Sequence, residues 1–150
     1  MSKEFLEVGD KVALICADTT TVDAIKPVLK DLGYKIHIGE SAEHAIERIR
    51  YTNYDIVVLH EHFAGSVLNS NIVLHYLAWM PMAQRRYTFT CLVGASFITL
   101  DAMQAFGQSV HLVVNPLDLP NIAAVLRRGL QEFEEIYGVY RDTLNSLGER

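Results

Sequence analysis

Apolar residues in this chain fall into two alternating patterns. Short blocks are dense in apolar and often β-branched residues: KVALIC, YDIVVL, TFTCLV and VHLVV. Between them lie longer stretches in which apolar residues recur every third or fourth position. A block that is apolar on both faces predicts a strand buried between two layers, as in a parallel sheet covered on each side by helices. Recurrence at helical spacing predicts the helices that cover it. Strands are expected at Lys11–Cys16, Lys35–Gly39, Tyr54–Gly65, Tyr87–Val93 and Val110–Val114.

The helices follow from caps and spacing. Asp18 and Thr19 to Thr21 precede Val22, Ile25, Val28, Leu29 and Leu32, with Pro27 disturbing the helix and Gly33 ending it. Ser41 caps a second helix carrying Ala42, Ala45, Ile46 and Ile49. After a polar loop over Ser66–Asn71, a third runs from Ile72 to about Trp79, ahead of Pro81. Thr99 is expected to cap a short fourth helix with Ala102, Met103 and Phe106 inward, closed by Gly107. Asp118 is expected to cap a long last helix over about residues 119–147, with Pro120 in its first turn. The alternation is (βα)₅: an α/β, doubly wound, mostly parallel five-stranded sheet. No linker or repeat divides it, so residues 1–150 read as a single domain with a core over about 11–133.

Composition narrows the function classes. The net charge of −5 and the absence of any basic run beyond Arg85–Arg86 and Arg127–Arg128 exclude a general nucleic-acid binder. No apolar stretch has the length of a membrane span, so no membrane insertion is expected. MSKEFLEVGD lacks the apolar core of a secretion signal, and Cys16 and Cys91 lie in strand-like runs as free thiols of a reducing compartment. A cytoplasmic location is expected. There is no P-loop, GxGxxG or GxSxG motif to anchor a nucleotide or hydrolase reading, and no cofactor is expected.

The candidate chemistry lies where Ile56–Leu59 runs abruptly into His60, Glu61 and His62. Polar residues at the carboxyl end of a buried parallel strand occupy the usual place of a working site in an open α/β fold. In a continuing strand the two histidines would share one face.

Over nearly its whole length, roughly Lys11 to Phe133, the chain resembles the receiver (CheY-like) domains of two-component response regulators, with KVALICADTTTVDAIKPVLKDLGYKIHIGESAEHAIERIRYTNYDIVVL similar to a receiver's first half. The resemblance is carried by strand placement, helix phase, the Leu32-Gly33-Tyr34 turn, the Ala45-to-Asp55 run and the Asn115-Pro116 step after the fifth strand. It implies a flavodoxin-like sandwich with strand order 2-1-3-4-5. It also implies an aspartyl phosphate on the third strand, a magnesium ion on an acidic pair after the first, and a hydroxyl and a lysine that contact the phosphoryl oxygens. Residue by residue, this chain departs from that pattern. Cys16 and Ala17 stand at the acidic pair with Asp18 next along, His60 at the acceptor, Gly94 (or Val93, one residue earlier in register) at the hydroxyl, Asn115 at the lysine and Leu112 at the aromatic switch. Hard cations want several oxygen ligands, and a phosphoryl group wants charge-assisted donors. The resemblance is therefore to a degenerate pseudo-receiver, a non-enzymatic module acting through protein–protein contacts in a bacterial signalling or motility system.

Two further expectations complete the reading. A ligand- or metal-responsive sensor is the alternative, using a strand-end pocket of Cys16, Asp18, His60, His62 and Asn115, although no CxxC or HxxxH spacing supports a metal. In the last helix, Leu126, Leu130, Phe133, Tyr137, Tyr140, Leu144 and Leu147 form a heptad-like stripe that extends about three turns past what the sheet needs to cover it. A homodimer through this helix is expected, with protein contacts at Met103, Phe106, Leu112, Phe133, Tyr137, Tyr140, Leu144 and Leu147.

Overall fold

The strands alternate their side chains between two cores, and that alternation organises the molecule. In the computed structural model, which describes residues 9–66 and 70–148, β1 (Val12–Cys16) is buried at every position. Ala13 and Ile15 enter one core; Val12, Leu14 and Cys16 enter the other. The sheet continues with β2 (Lys35–Ile38), β3 (Ile56–His60), β4 (Phe89–Val93) and β5 (Leu112–Val114), all parallel, in the order β2-β1-β3-β4-β5. This is the doubly wound, flavodoxin-like order that the resemblance implies.

One face is covered by α1 (Thr19–Asp31) and the long α6 (Ile122–Ser146), through Ile25, Leu29, Ile122, Leu126 and Phe133. The other is covered by α2 (Ala42–Tyr51), α3 (Ile72–Ala78) and α5 (Ala102–Gly107), through Ala45, Val73, Leu74, Leu77 and Ala105. A short α4 (Met82–Arg85), absent from the sequence reading, follows Pro81. Gly129 explains how α6 lies so close to the sheet. A Cβ there would meet Phe89 Cζ at 3.0 Å and Leu112 Cδ2 at 3.1 Å, so its cost in helix propensity permits a close approach.

Several expected boundaries move. β3 ends at His60, and Phe63–Gly65 is a turn of 3₁₀ helix in which Ala64 has φ 60°. Thr99 does not cap α5: Asp101 does, its carboxylate accepting from the Gln104 N–H. Asp118 does not open α6 either. Residues Pro116–Asn121 form 3₁₀ helix capped by the Asn115 side chain, and α6 begins only at Ile122. The two prolines in that segment have no N–H to donate, which disfavours a regular α-helical start.

Met103 and Phe106 are 77 % and 81 % exposed, not inward. A helix of 6 residues at the sheet's edge buries one position fully, and small Ala105 takes it. Leu112 and Phe133 are core residues, so neither is available as a contact surface. Tyr137 packs partly against that core, and Leu144 is half-buried. The Tyr140 side chain and residues 67–69 of the predicted polar loop lie outside what the structure describes.

Candidate functional site

The carboxyl ends of β1, β3, β4 and β5 meet at one rim. Cys16 pairs with Leu59 across the sheet and shares its core, where an ideal Cβ on Gly39 would lie 2.8 Å from Cys16 Sγ. Burial pushes the Cys16 thiol up to about 12, and that of Cys91 likewise, so neither is a thiolate at neutral pH. His60 has the strand parity of Ile56 and Val58, which belong to the opposite core. The period-two alternation of strands therefore separates Cys16 from His60, and the expected grouping of Cys16, Asp18, His60 and His62 does not form. Among the described residues, no cluster of three or more His, Cys, Asp or Glu is arranged to hold a metal.

Asp18 stands at the N-cap position of α1, but its carboxylate accepts from the Thr21 hydroxyl and not from a backbone N–H. The histidines are tied locally. His60 Nδ1 accepts from the His62 N–H at 3.1 Å, and His62 Nδ1 lies 3.1 Å from the Ser66 carbonyl oxygen. Their rings are tilted, with centroids 5.8 Å apart. Asn71 caps α3 with its side-chain oxygen and donates its amide to the carbonyls of both His60 and Glu61.

Glu61, named in the polar cluster but not among the candidate site residues, has a role that sequence reasoning missed. It is 1 % exposed, with the parity of Val57 and Leu59, toward the core that faces α2, α3 and α5. Ser96 donates to it twice, through its N–H at 3.1 Å and its hydroxyl at 2.7 Å. His62 Nε2 stands 3.9 Å from the same carboxylate. A Cβ on Gly94 would fall 1.8 Å from Glu61 Oε2, so the absence of a side chain at Gly94 is what lets this carboxylate in. The available signal was parity: Glu61 is two residues past Leu59, opposite the glycine that follows the next strand.

Asn115 has become a loop clasp. Its amide donates to the Phe97 carbonyl at 2.9 Å, and its backbone N–H donates to Thr99 Oγ1 at 2.9 Å. The Thr99 hydroxyl in turn donates to the Asp118 carboxylate. The positions predicted as a degenerate pocket are thus brought to one rim, with Cys16 turned into the core. Two concavities lie away from these side chains: a cleft of about 440 Å³ at the opposite ends of β3 and β4, lined by Tyr54, Asp55, Tyr87 and Thr88, and an apolar groove of about 540 Å³ between α1 and Pro116–Ala123.

No protein-family model and no curated protein sequence matches the chain. Solved structures do. A chemotaxis response regulator of Vibrio cholerae aligns at 13 % identity over 80 % of this chain and 98 % of its own, with a TM-score of 0.55. The receiver domain of a Luxo repressor protein from Vibrio parahaemolyticus aligns at 16 % identity over 87 % and 97 %, TM-score 0.60. A CheY-like receiver domain protein from Methanospirillum hungatei aligns at 13 % identity over 84 % and 97 %, TM-score 0.60. The chain has the receiver fold. Function at such identities is argued from its own residues.

Proposed function

We propose that this chain is a receiver-like interaction module of a bacterial signalling or motility system that works without phosphoryl transfer. The observation that carries the reading is the chemistry of the rim. His60 stands at the end of β3, where the resemblance implies an acceptor carboxylate. The carboxylate beside it, Glu61, is buried and accepts both of its described hydrogen bonds from Ser96. Contacts with protein partners then fall to exposed apolar positions. These are Ile98, Met103 and Phe106 around α5, and Ile136 and Val139 on the outer side of α6 with Leu147 just past its end, along which a second copy pairs.

Incubation with acetyl phosphate and magnesium, followed by intact mass, is expected to leave the mass unchanged. Stoichiometric gain of one phosphoryl group would overturn the reading. Light scattering tests the pairing: the protein is expected to run as a dimer and Val139→Glu as a monomer, whereas a monomeric wild type removes the α6 contact from the proposal.

A further inference from the structure

We propose that Glu61 is a built-in carboxylate clamp that holds the segment 94–100 in one conformation and so keeps Ile98 displayed beside Met103 and Phe106 without any added group. A carboxylate this deep is costly to desolvate unless donors satisfy it. Ser96 supplies those donors from the loop itself, at 3.1 Å through its N–H and 2.7 Å through its hydroxyl. If the loop leaves, Glu61 is stranded; if Glu61 leaves, the Ser96 N–H loses its partner. The backbone of Glu61 is fixed from beneath, its N–H donating to the Val93 carbonyl at 2.8 Å and its own carbonyl accepting from the Asn71 amide at 3.2 Å. Gly94 is the other half of the device, since an added Cβ would lie 1.8 Å from Oε2, 2.3 Å from Cδ and 2.6 Å from Cγ of Glu61.

The far side of the loop is held independently. Asn115 donates to the Phe97 carbonyl at 2.9 Å, and Gln104 Oε1 accepts from the Ile98 N–H at 2.7 Å. Between these ties Leu100 adopts φ 68°, a left-handed conformation for a residue with a side chain. Such a conformation persists where the surroundings over-determine it, and a loop clasped from β3 on one side and from β5 and α5 on the other is over-determined in that sense. Ile98 lies inside the clamped segment, and Met103 and Phe106 lie on the helix that follows it; all three are exposed. The clamp stands on these contacts alone, while its consequence for partner binding rests on the interaction-module reading above.

Amide hydrogen exchange on the full chain tests it. In Glu61→Gln, which keeps the volume but not the charge, and in Ser96→Ala, which alters an exposed residue, amides of residues 95–100 are expected to exchange about tenfold faster or more while those of β1 and α1 are unchanged. Gly94→Ala is expected to loosen the same segment by evicting the carboxylate. Wild-type exchange of residues 95–100 in both Glu61→Gln and Ser96→Ala would overturn the clamp. The measurement involves no partner, so it separates failure of the clamp from failure of the interaction reading.

Discussion

The rim at the carboxyl ends of the strands and the seam beneath α6 look opposite in the sequence and have exchanged roles in the fold. The rim is polar and invites chemistry, but its polar groups close on one another: Glu61 on Ser96, Asn115 on Phe97, Thr99 on Asp118. The seam looks like an apolar stripe waiting for a partner, but its middle is already covered. Phe133 packs edge-on to Phe89 and His111 with centroids 5.5 and 4.7 Å away, and Tyr137 meets Phe133 at 5.0 Å and His111 at 5.8 Å. Polarity alone does not make a site, and apolarity alone does not make an interface. What decides each is whether the chain supplies its own partner.

The largest effect expected from this contrast is on stability within α6 itself. Phe133→Ala removes a buried ring from an aromatic cluster and is expected to cost ~3–5 kcal/mol. Leu147→Ala, at a position 69 % exposed, is expected to stay within ~0.5 kcal/mol at concentrations where the protein is monomeric. Urea denaturation measures both. Equal losses would erase the distinction between the covered and uncovered parts of the helix.

A second difference is in pH dependence. His111 Nδ1 accepts from the Thr90 N–H at 2.9 Å, and burial, with repulsion from Arg85 as a smaller cause, lowers its pKa to about 4. In the unfolded chain an imidazole titrates near 6.5. Between about pH 6.5 and 4 the unfolded state therefore binds more protons, so the His111 contribution is complete above about 6.5 and is lost as pH falls toward 4. The loss attributable to it is about 3 kcal/mol at most. His111→Phe is expected to flatten the stability profile across that window relative to wild type. Parallel profiles would mean that His111 protonates as readily in the folded protein as in the unfolded one.

How much of this was legible depended on whether one period governed a stretch. The strand blocks could be read because they are apolar on both faces and buried at nearly every position, the helices α1 and α2 because their inward positions keep helical spacing, and the sheet order came with the resemblance. Cys16 was misplaced because the reading used chain position alone. Parity with Leu59 would have put its thiol in the core, across the sheet from His60. The burial of Glu61 is not legible from its place in the His60-Glu61-His62 cluster, because a carboxylate is rarely buried and the glycine opposite is what makes room for it. The start of α6 was misread because Asp118 and Pro120 form a plausible helix start, whereas Asn115 caps a 3₁₀ segment that local propensity does not distinguish. Met103 and Phe106 are predicted both inward and as contacts, and their exposure overturns the inward placement.

A smaller loss than those at Phe133 and His111 is expected where the covered and uncovered parts of α6 meet. Arg141 donates to the Arg86 carbonyl at 3.3 Å, stands 5.3 Å over the Phe133 ring and 5.8 Å over the Tyr87 ring, and pairs with Glu134. It ties the last turns of α6 to the segment leading into β4, and closes the aromatic cluster with its guanidinium. An aromatic contact and a carbonyl hydrogen bond at a partly exposed site are each worth ~0.5–1.5 kcal/mol, so Arg141→Ala is expected to cost about 2 kcal/mol overall. Its sharper signature is local. Amide exchange over residues 138–146 should rise while that of Ile122–Phe133 holds, because among the described side chains the core contacts of the helix end with the cluster. If exchange instead rises along the whole of α6, the helix is one cooperative unit. The boundary drawn here between its packed half and its free half would then be a feature of contacts only, and not of stability.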